Sequence, residues 1–426
     1  MRHLPYNHAI LVGYVLLLMM LVGCSQQASS LKGQQNEKEI ATEQVIPNVQ
    51  PLTIHQYRTT NGDIYLGNLN SRIQSLTQLA NNTATHRLLL ASSLYHRYQI
   101  IGKFDDLTEA QVQLSTYLQQ IDHNSQQSDA GFILQASIYS ATHQFDQALA
   151  TLKKLTRKAS QPAQISKAEI QFAQGLYEKA KTTINSLAAN SEPAIDSQVL
   201  SLQANLAIEQ GNLAQGLRLF DQAQQQYTNT NPVTLAWLQT QMGIALLRNQ
   251  KIAQARTFFL SAQQRLPTYS LATEHLAESE LTLGNLLSAE KLYASVSQQT
   301  KNPEFYAMLA KTQKKLGKNS AAAQSLRTAE QGYSDLLREQ PQAFSQHAAQ
   351  FFYDTGKLPQ ALELAELNLQ NREDIHSWLL LSHISKAMHQ QIKACDALAK
   401  ANSLNMHPPE LKAANNTSDC EHAFSD

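Results

Sequence analysis

The residues able to do chemistry in this 426-residue chain are few and scattered. Its three cysteines are Cys24, Cys395 and Cys420, and its 14 histidines are dispersed. His376 and His383 lie seven apart and share a helix face, with His389 close by. A metal ion there would need a third ligand and hydrogen bonds to orient the rings. The three are therefore read as surface histidines, and no metal or cofactor is expected. Gly317-Lys318-Asn319-Ser320 ends like a phosphate-binding loop but lacks the upstream glycine, so it is read as a turn. Neither a G-x-S-x-G elbow nor an H-E-x-x-H pair occurs. Lys311, Lys314 and Lys315 form a local cluster in a chain whose 34 basic residues balance 34 acidic ones. That balance provides no overall attraction for nucleic acid or anionic lipid, and no nucleic-acid partner is expected. The chemistry that is left is binding, and the chain is read as a non-enzyme.

The first residues carry an address. Arg2 and His3 precede an apolar run from Ile10 to Val22. The run is short of the roughly 20 residues that cross a bilayer but suits a signal peptide over residues 1–23. It ends in Leu21-Val22-Gly23-Cys24, which resembles the lipobox of bacterial lipoproteins. The resemblance implies that Cys24 becomes the mature N-terminus and carries acyl chains, palmitate among them. With Ser25 rather than Asp next, it also implies the outer membrane, facing the periplasm. More than one acyl chain makes such an anchor stable, and contact with the membrane is expected through this anchor alone. Residues 24–52, rich in Gln, Ser, Glu and Asn, bury too little apolar surface to order themselves and read as a flexible tether reaching about 25–30 Å. Once Cys24 is acylated, Cys395 and Cys420 are the remaining thiols in an oxidising compartment. They are expected to form a disulfide, the alternative being two free thiols. The bridge would close a loop of about 25 residues, worth roughly 3 kcal/mol by chain entropy.

The body that must position any binding residues is written in a repeat. In the stretch from Trp237 to Pro267, Gly243 is followed twelve residues later by Ala255 and four further on by Phe259. The same ruler finds small residues at Ala148, Ala180, Gly216, Ala255, Ala289, Ala322, Ala361 and Ala394, spaced 32 to 39 residues apart. Twelve before each lies another small residue: Ala136, Ala168, Ala204, Gly243, Ala277, Ala310, Ala349 and Ser382. Five before, Gly175, Gly211, Gly284, Gly317 and Gly356 supply the left-handed residue that ends a helix in a tight turn. Each unit thus reads as helix, turn, helix, with small residues where the two helices cross.

This pattern resembles the tetratricopeptide repeat over residues 128–406, giving an all-α solenoid of about eight helix-turn-helix units. Upstream, residues 53–127 hold a capping helix (Leu66–Leu79) and a divergent pair turning at Gly102; residues 407–426 read as a polar tail. The resemblance implies a concave groove lined by the first helix of each unit. On this register the lining includes Asn205, Glu209, Arg248, Glu278, Lys311, Lys314, Lys315, Tyr353 and His383. Trp237 and Leu247 also stand outside the packing pattern and are read as able to touch a partner. The expected function is a non-catalytic, lipid-anchored scaffold in the cell envelope that holds a partner protein or peptide in this groove. The lysine cluster would meet an acidic segment. The alternative is a ligand- or metal-binding accessory subunit of an envelope enzyme, with its site at the histidine-bearing C-terminal unit.

Overall fold

Helices start where the sequence supplies caps. Asn61, Thr83, Asp196, Asn212, Asn231, Asn302 and Asp374 each accept a hydrogen bond from a first-turn amide with their side chains. In six helices proline occupies one of the first two positions, where its missing N–H costs nothing. The computed structural model describes residues 46–123, 125–190, 196–417 and Cys420; the expected signal peptide, Cys24 and most of the tether lie outside the described residues.

Helix α1 (Gly62–Leu79) precedes nine antiparallel pairs. These are α2 (Ala84–Ile101) with α3 (Phe104–Gln120), α4 (Gln126–Ala141) with α5 (Phe145–Leu152), and α6 (Gln161–Ala173) with α7 (Tyr177–Ala189). Then come α8 (Ser197–Glu209) with α9 (Leu213–Gln225), α10 (Pro232–Arg248) with α11 (Ile252–Arg265), and α12 (Ser270–Thr282) with α13 (Leu286–Thr300). The last three are α14 (Pro303–Lys315) with α15 (Asn319–Glu339), α16 (Pro341–Asp354) with α17 (Leu358–Leu369), and α18 (Ile375–Ala387) with α19 (Gln391–Asn402). Helix α20 (Pro409–Asn416) closes the array. No strand occurs among the described residues. The chain is an all-α solenoid of tetratricopeptide-like pairs, one pair longer than the eight-unit ruler because α2 and α3 follow the same plan.

Every small residue of the ruler is buried at a crossing. A Cβ on Gly243 would collide with the Phe259 ring, and one on Gly216 with the Ile208 side chain. In the last pair the crossing is polar: Ser382 Oγ donates to the Ala394 carbonyl at 2.8 Å. The turns obey one rule. Six glycines there have φ between 74° and 88°, and the units without glycine place His143, Gln250 and His389 in the same left-handed region at φ 55–60°.

The solenoid winds so tightly that successive superhelical turns touch. The turn of pair two meets pair eight, where the His143 and His347 rings lie 6.5 Å apart. The turn of pair three meets the start of pair nine, with Glu373 N–H donating to the Gln174 carbonyl at 3.3 Å. The turn of pair one reaches Ser270 and Gln299 of pair six and stacks Phe104 edge-on against Phe344 of pair eight at 4.9 Å. The end of α8 meets the segment before α20, where His407 N–H donates to the Glu209 carbonyl at 2.7 Å. The seam is apolar inside: Ile165, Phe172, Tyr177 and Leu206 share one core with Ile375, Leu398, Met406 and Leu411. One superhelical turn is therefore about six pairs.

Both ends differ from the simple reading of tether and tail. Ile46 and Val49 already pack on the core, and residues 46–60 run as a strap along α9, α10 and α11. Arg265 holds the strap: Nη2 donates to the Leu52 carbonyl at 2.8 Å, and Nη1 to the Tyr57 carbonyl and Thr59 Oγ1, each at 3.1 Å. At the other end the polar tail contains α20, whose Leu411 is buried. Among the described residues, no helix is long and apolar enough to cross a membrane.

Candidate functional site

The groove is not continuous. Helix α10 is buried from Pro232 through Leu246, and α8 has ten buried residues between Val199 and Glu209. With about six pairs per turn, the first helices of pairs three to five lie inside the winding and face neighbouring chain rather than solvent. Three expected groove residues are corrected on this ground. Asn205 and Glu209 are buried, and Arg248 is locked in ion pairs, its Nη1 2.5 Å from Glu209 Oε1 and its Nε 2.8 Å from Glu410 Oε1. His376 Nε2 stands 3.9 Å from the other Glu209 oxygen. Burial alone would raise the Glu410 carboxyl, but the adjacent Arg248 guanidinium outweighs it and brings its pKa down to about 2. Trp237 is likewise internal, edge-on to Phe220 at 6.4 Å. This network staples α20 across the ends of pairs four and five.

The remaining expected residues lie on the later pairs. Lys314 and Lys315 are exposed at the end of α14, and Lys311 is half-buried in the field of Asp354 on α16. Tyr353 is half-buried, and burial raises its hydroxyl pKa. His383 is also half-buried; burial, then the Lys386 charge, lowers its pKa. His376 sits in the Arg248 network and His389 in an exposed turn, so the three C-terminal histidines take different environments. The structure joins Cys395 to Cys420 with a Cα–Cα distance of 5.5 Å, tying the segment after α20 to α19. Cys24 lies outside the described residues.

Pairs six to eight also present a free turn edge. At Gly284, Gly317 and Gly356 nothing lies within 4 Å of an added Cβ. In pair six, Leu287 is 70% exposed and Leu283, in the turn before it, 43%; Ile392, on pair nine, is 64% exposed. A ladder of ion pairs ties neighbouring second helices along this edge: Lys318 to Glu290, Lys357 to Glu330, and Lys393 to Glu366.

A titratable cluster on α12 went unnoticed in the sequence. Glu274, His275 and Glu278 lie on one turn of that helix, and their potential ligand atoms are all within 4.8 Å of one another. His275 is 1% exposed; its Nδ1 is 3.0 Å from Glu278 Oε2 and its Nε2 3.6 Å from Glu274 Oε2. Burial opposes charging the ring, but the flanking carboxylates outweigh it and raise the His275 pKa; burial raises that of Glu274. Next along the wall, Glu304 of α14 is 3.1 Å from His347 Nδ1 of α16. In the sequence the cluster is spelled Glu-His-x-x-Glu, a string with one histidine that the two-histidine H-E-x-x-H pattern does not cover.

No protein-family model matches this chain, and no characterised protein matches it in sequence. Solved structures share its helical construction at low identity. The APC/C hetero-tetramer Cut9–Hcn1 is similar at 15% identity and a TM-score of 0.37, covering 80% of this chain and 78% of that one. A human IFIT1 dimer with PPP-AAAA aligns at 13% identity and a TM-score of 0.42, over 86% and 87%. Pseudomonas aeruginosa pilF aligns at 14% and 0.32, over 61% of this chain and 98% of that one. Similarity at this level is silent on what the chain binds.

Proposed function

We propose that the chain is a non-catalytic scaffold of the bacterial envelope, anchored in the outer membrane through acylated Cys24 and facing the periplasm. It holds an acidic segment of a partner protein against pairs six to eight. The observation that carries this reading is the free turn edge. In pairs one to four the equivalent edge is covered by chain about six pairs further on, whereas in pairs six to eight it is open. Leu283 and Leu287 offer apolar area there, and Lys314 and Lys315 stand exposed on the neighbouring pair. Apolar anchors with a basic rim suit a peptide that carries both apolar and acidic side chains. The lipobox supports the address, and the strap of residues 46–60 ties the anchored end of the chain to the body. Photo-crosslinking residues placed at Leu287 and Lys315 in intact cells should capture a common partner, while one at Asp146, on the covered side, should not. Recovery of the same proteins from both edges, or of none, would reject the proposal. Cys24→Ser should release the protein from the membrane fraction.

A further inference from the structure

We infer that the hollow at the connection between pairs two and three binds a phosphate group, either free or on a lipid headgroup. Residues 153–160, between α5 and α6, border a cavity of about 820 Å³ whose lining includes His123, Lys154, Arg157, Lys158 and Ser160. Lys153-Lys154-Leu155-Thr156-Arg157-Lys158 puts four cations into six residues of a chain with no net charge. All four are exposed. Among the described residues, no carboxylate forms an ion pair with Lys153, Lys154 or Lys158.

The donors are held from below. Asp129 of α4 is buried, and its carboxylate accepts from Thr156 N–H at 2.8 Å, Thr156 Oγ1 at 2.9 Å and Arg157 N–H at 3.1 Å. Arg157 Nε stands 3.5 Å from the same carboxylate. The one acid at the loop is therefore spent on shaping it, and the lysines face outward unopposed. Buried Phe132 places two more groups: Lys154 Nζ lies 5.7 Å from its ring centre, and the His123 ring stands edge-on to it at 5.5 Å. His123 Nε2 donates to the Leu118 carbonyl at 2.6 Å, which leaves Nδ1 for a ligand. Ser160 starts α6 without a capping bond from its side chain, so its hydroxyl and the first-turn amides add neutral donors at the rim. A phosphomonoester carries about two negative charges and several acceptor oxygens, enough to engage guanidinium, ammonium and amide groups together. The strap meets the body on this edge as well, at Asn229 and Thr230 between pairs four and five. On the lipid-anchored reading that turns the hollow toward headgroups; phosphate binding itself does not depend on the anchor or on the partner at the opposite edge.

The full-length protein in a neutral detergent, dialysed against radiolabelled inorganic phosphate in about 150 mM sodium chloride, should bind it saturably. The double variant Lys154→Gln/Lys158→Gln should lose roughly tenfold or more in affinity. Lys314→Gln/Lys315→Gln, an exposed pair on the opposite edge, should leave it unchanged. Far-UV circular dichroism of both variants establishes that they are folded. Unlabelled glycerol phosphate, the headgroup fragment, identifies the source: displacement of the label at lower concentration than inorganic phosphate assigns the site to a lipid headgroup, and equal or weaker displacement assigns it to free phosphate. Absence of saturable uptake by the native protein, uptake that persists in the Lys154/Lys158 variant, or an equal loss in the Lys314/Lys315 variant overturns the proposal.

Discussion

Gly175 and Gly211 hold the same place in their units as Gly284, Gly317 and Gly356, with nearly the same φ, yet their surroundings differ completely. An added Cβ at Gly175 would sit 2.8 Å from the Asp374 backbone, and one at Gly211 2.6 Å from the His407 carbonyl oxygen. At the later three it would meet nothing. One local rule, a left-handed residue between two helices, therefore serves two tertiary roles. In the early pairs the turn is also a close-packed seam; in the later pairs it is a free rim. A repeat specifies how neighbours pack and leaves open what lies a superhelical turn away.

The contrast can be broken most severely at the charged staple. Arg248→Ala leaves Glu209 and Glu410 buried without their cation and should cost about 3–5 kcal/mol in denaturant unfolding. Lys357→Ala on the rim should cost no more than about 1 kcal/mol. Equal losses would mean that the seam is no more tightly held than the rim. Next in size, Cys420→Ser should lower stability by roughly 3 kcal/mol and expose the Arg248 region to proteolysis, since the bridge holds the chain beyond α20.

Alanine at the turns compares the two regions directly. Gly211→Ala combines left-handed strain with a backbone collision, about 3 kcal/mol in all; Gly356→Ala carries the strain alone, about 1 kcal/mol. Matching melting shifts for the two would dissolve the distinction. The smallest effect is on pH. Burial lowers the His96 pKa to about 4. Between its unfolded value of about 6.5 and 4, the unfolded chain therefore binds a proton that the folded one refuses. That contribution is full above pH 6.5 and fades as the solution is acidified, costing about 3 °C in melting temperature by pH 5. Glu410, held down to about 2, adds a second loss as pH falls below its unfolded value of about 4.3. Arg248→Ala should abolish this lower limb while keeping the upper one.

What the sequence made readable was the pairwise layer. The crossing positions from Ala136 to Ala394 and the turn glycines all follow from contacts within 12 residues, and the fold carries each of them. His143, Gln250 and His389 extend the turn rule to residues that composition alone would not nominate. The groove residues fared unevenly because exposure is set by winding. Arg248 and Glu209 read as surface on an isolated pair, yet the six-pair turn brings α18 and α20 against them. Their partners lie far along the chain, Glu410 being 162 residues from Arg248, and no local pattern encodes that separation. Lys314 and Lys315 escaped because their pair comes after the last one to be covered. The α12 cluster was written in plain view as Glu-His-x-x-Glu, but its meaning rests on the burial of His275, a tertiary fact.

The seam between successive turns also changes how the molecule should fold. An open solenoid behaves as a one-dimensional chain of units, each stabilised by its neighbours, so that ends fray and units can be trimmed one at a time. Here pairs two and three lean on pairs eight and nine, and α20 seals pairs four and five. The early units complete their packing only after the last ones have been made, so loop closure over most of the chain precedes the reward. The array forfeits the modular folding of its class and becomes a single cooperative object whose C-terminal end governs its middle.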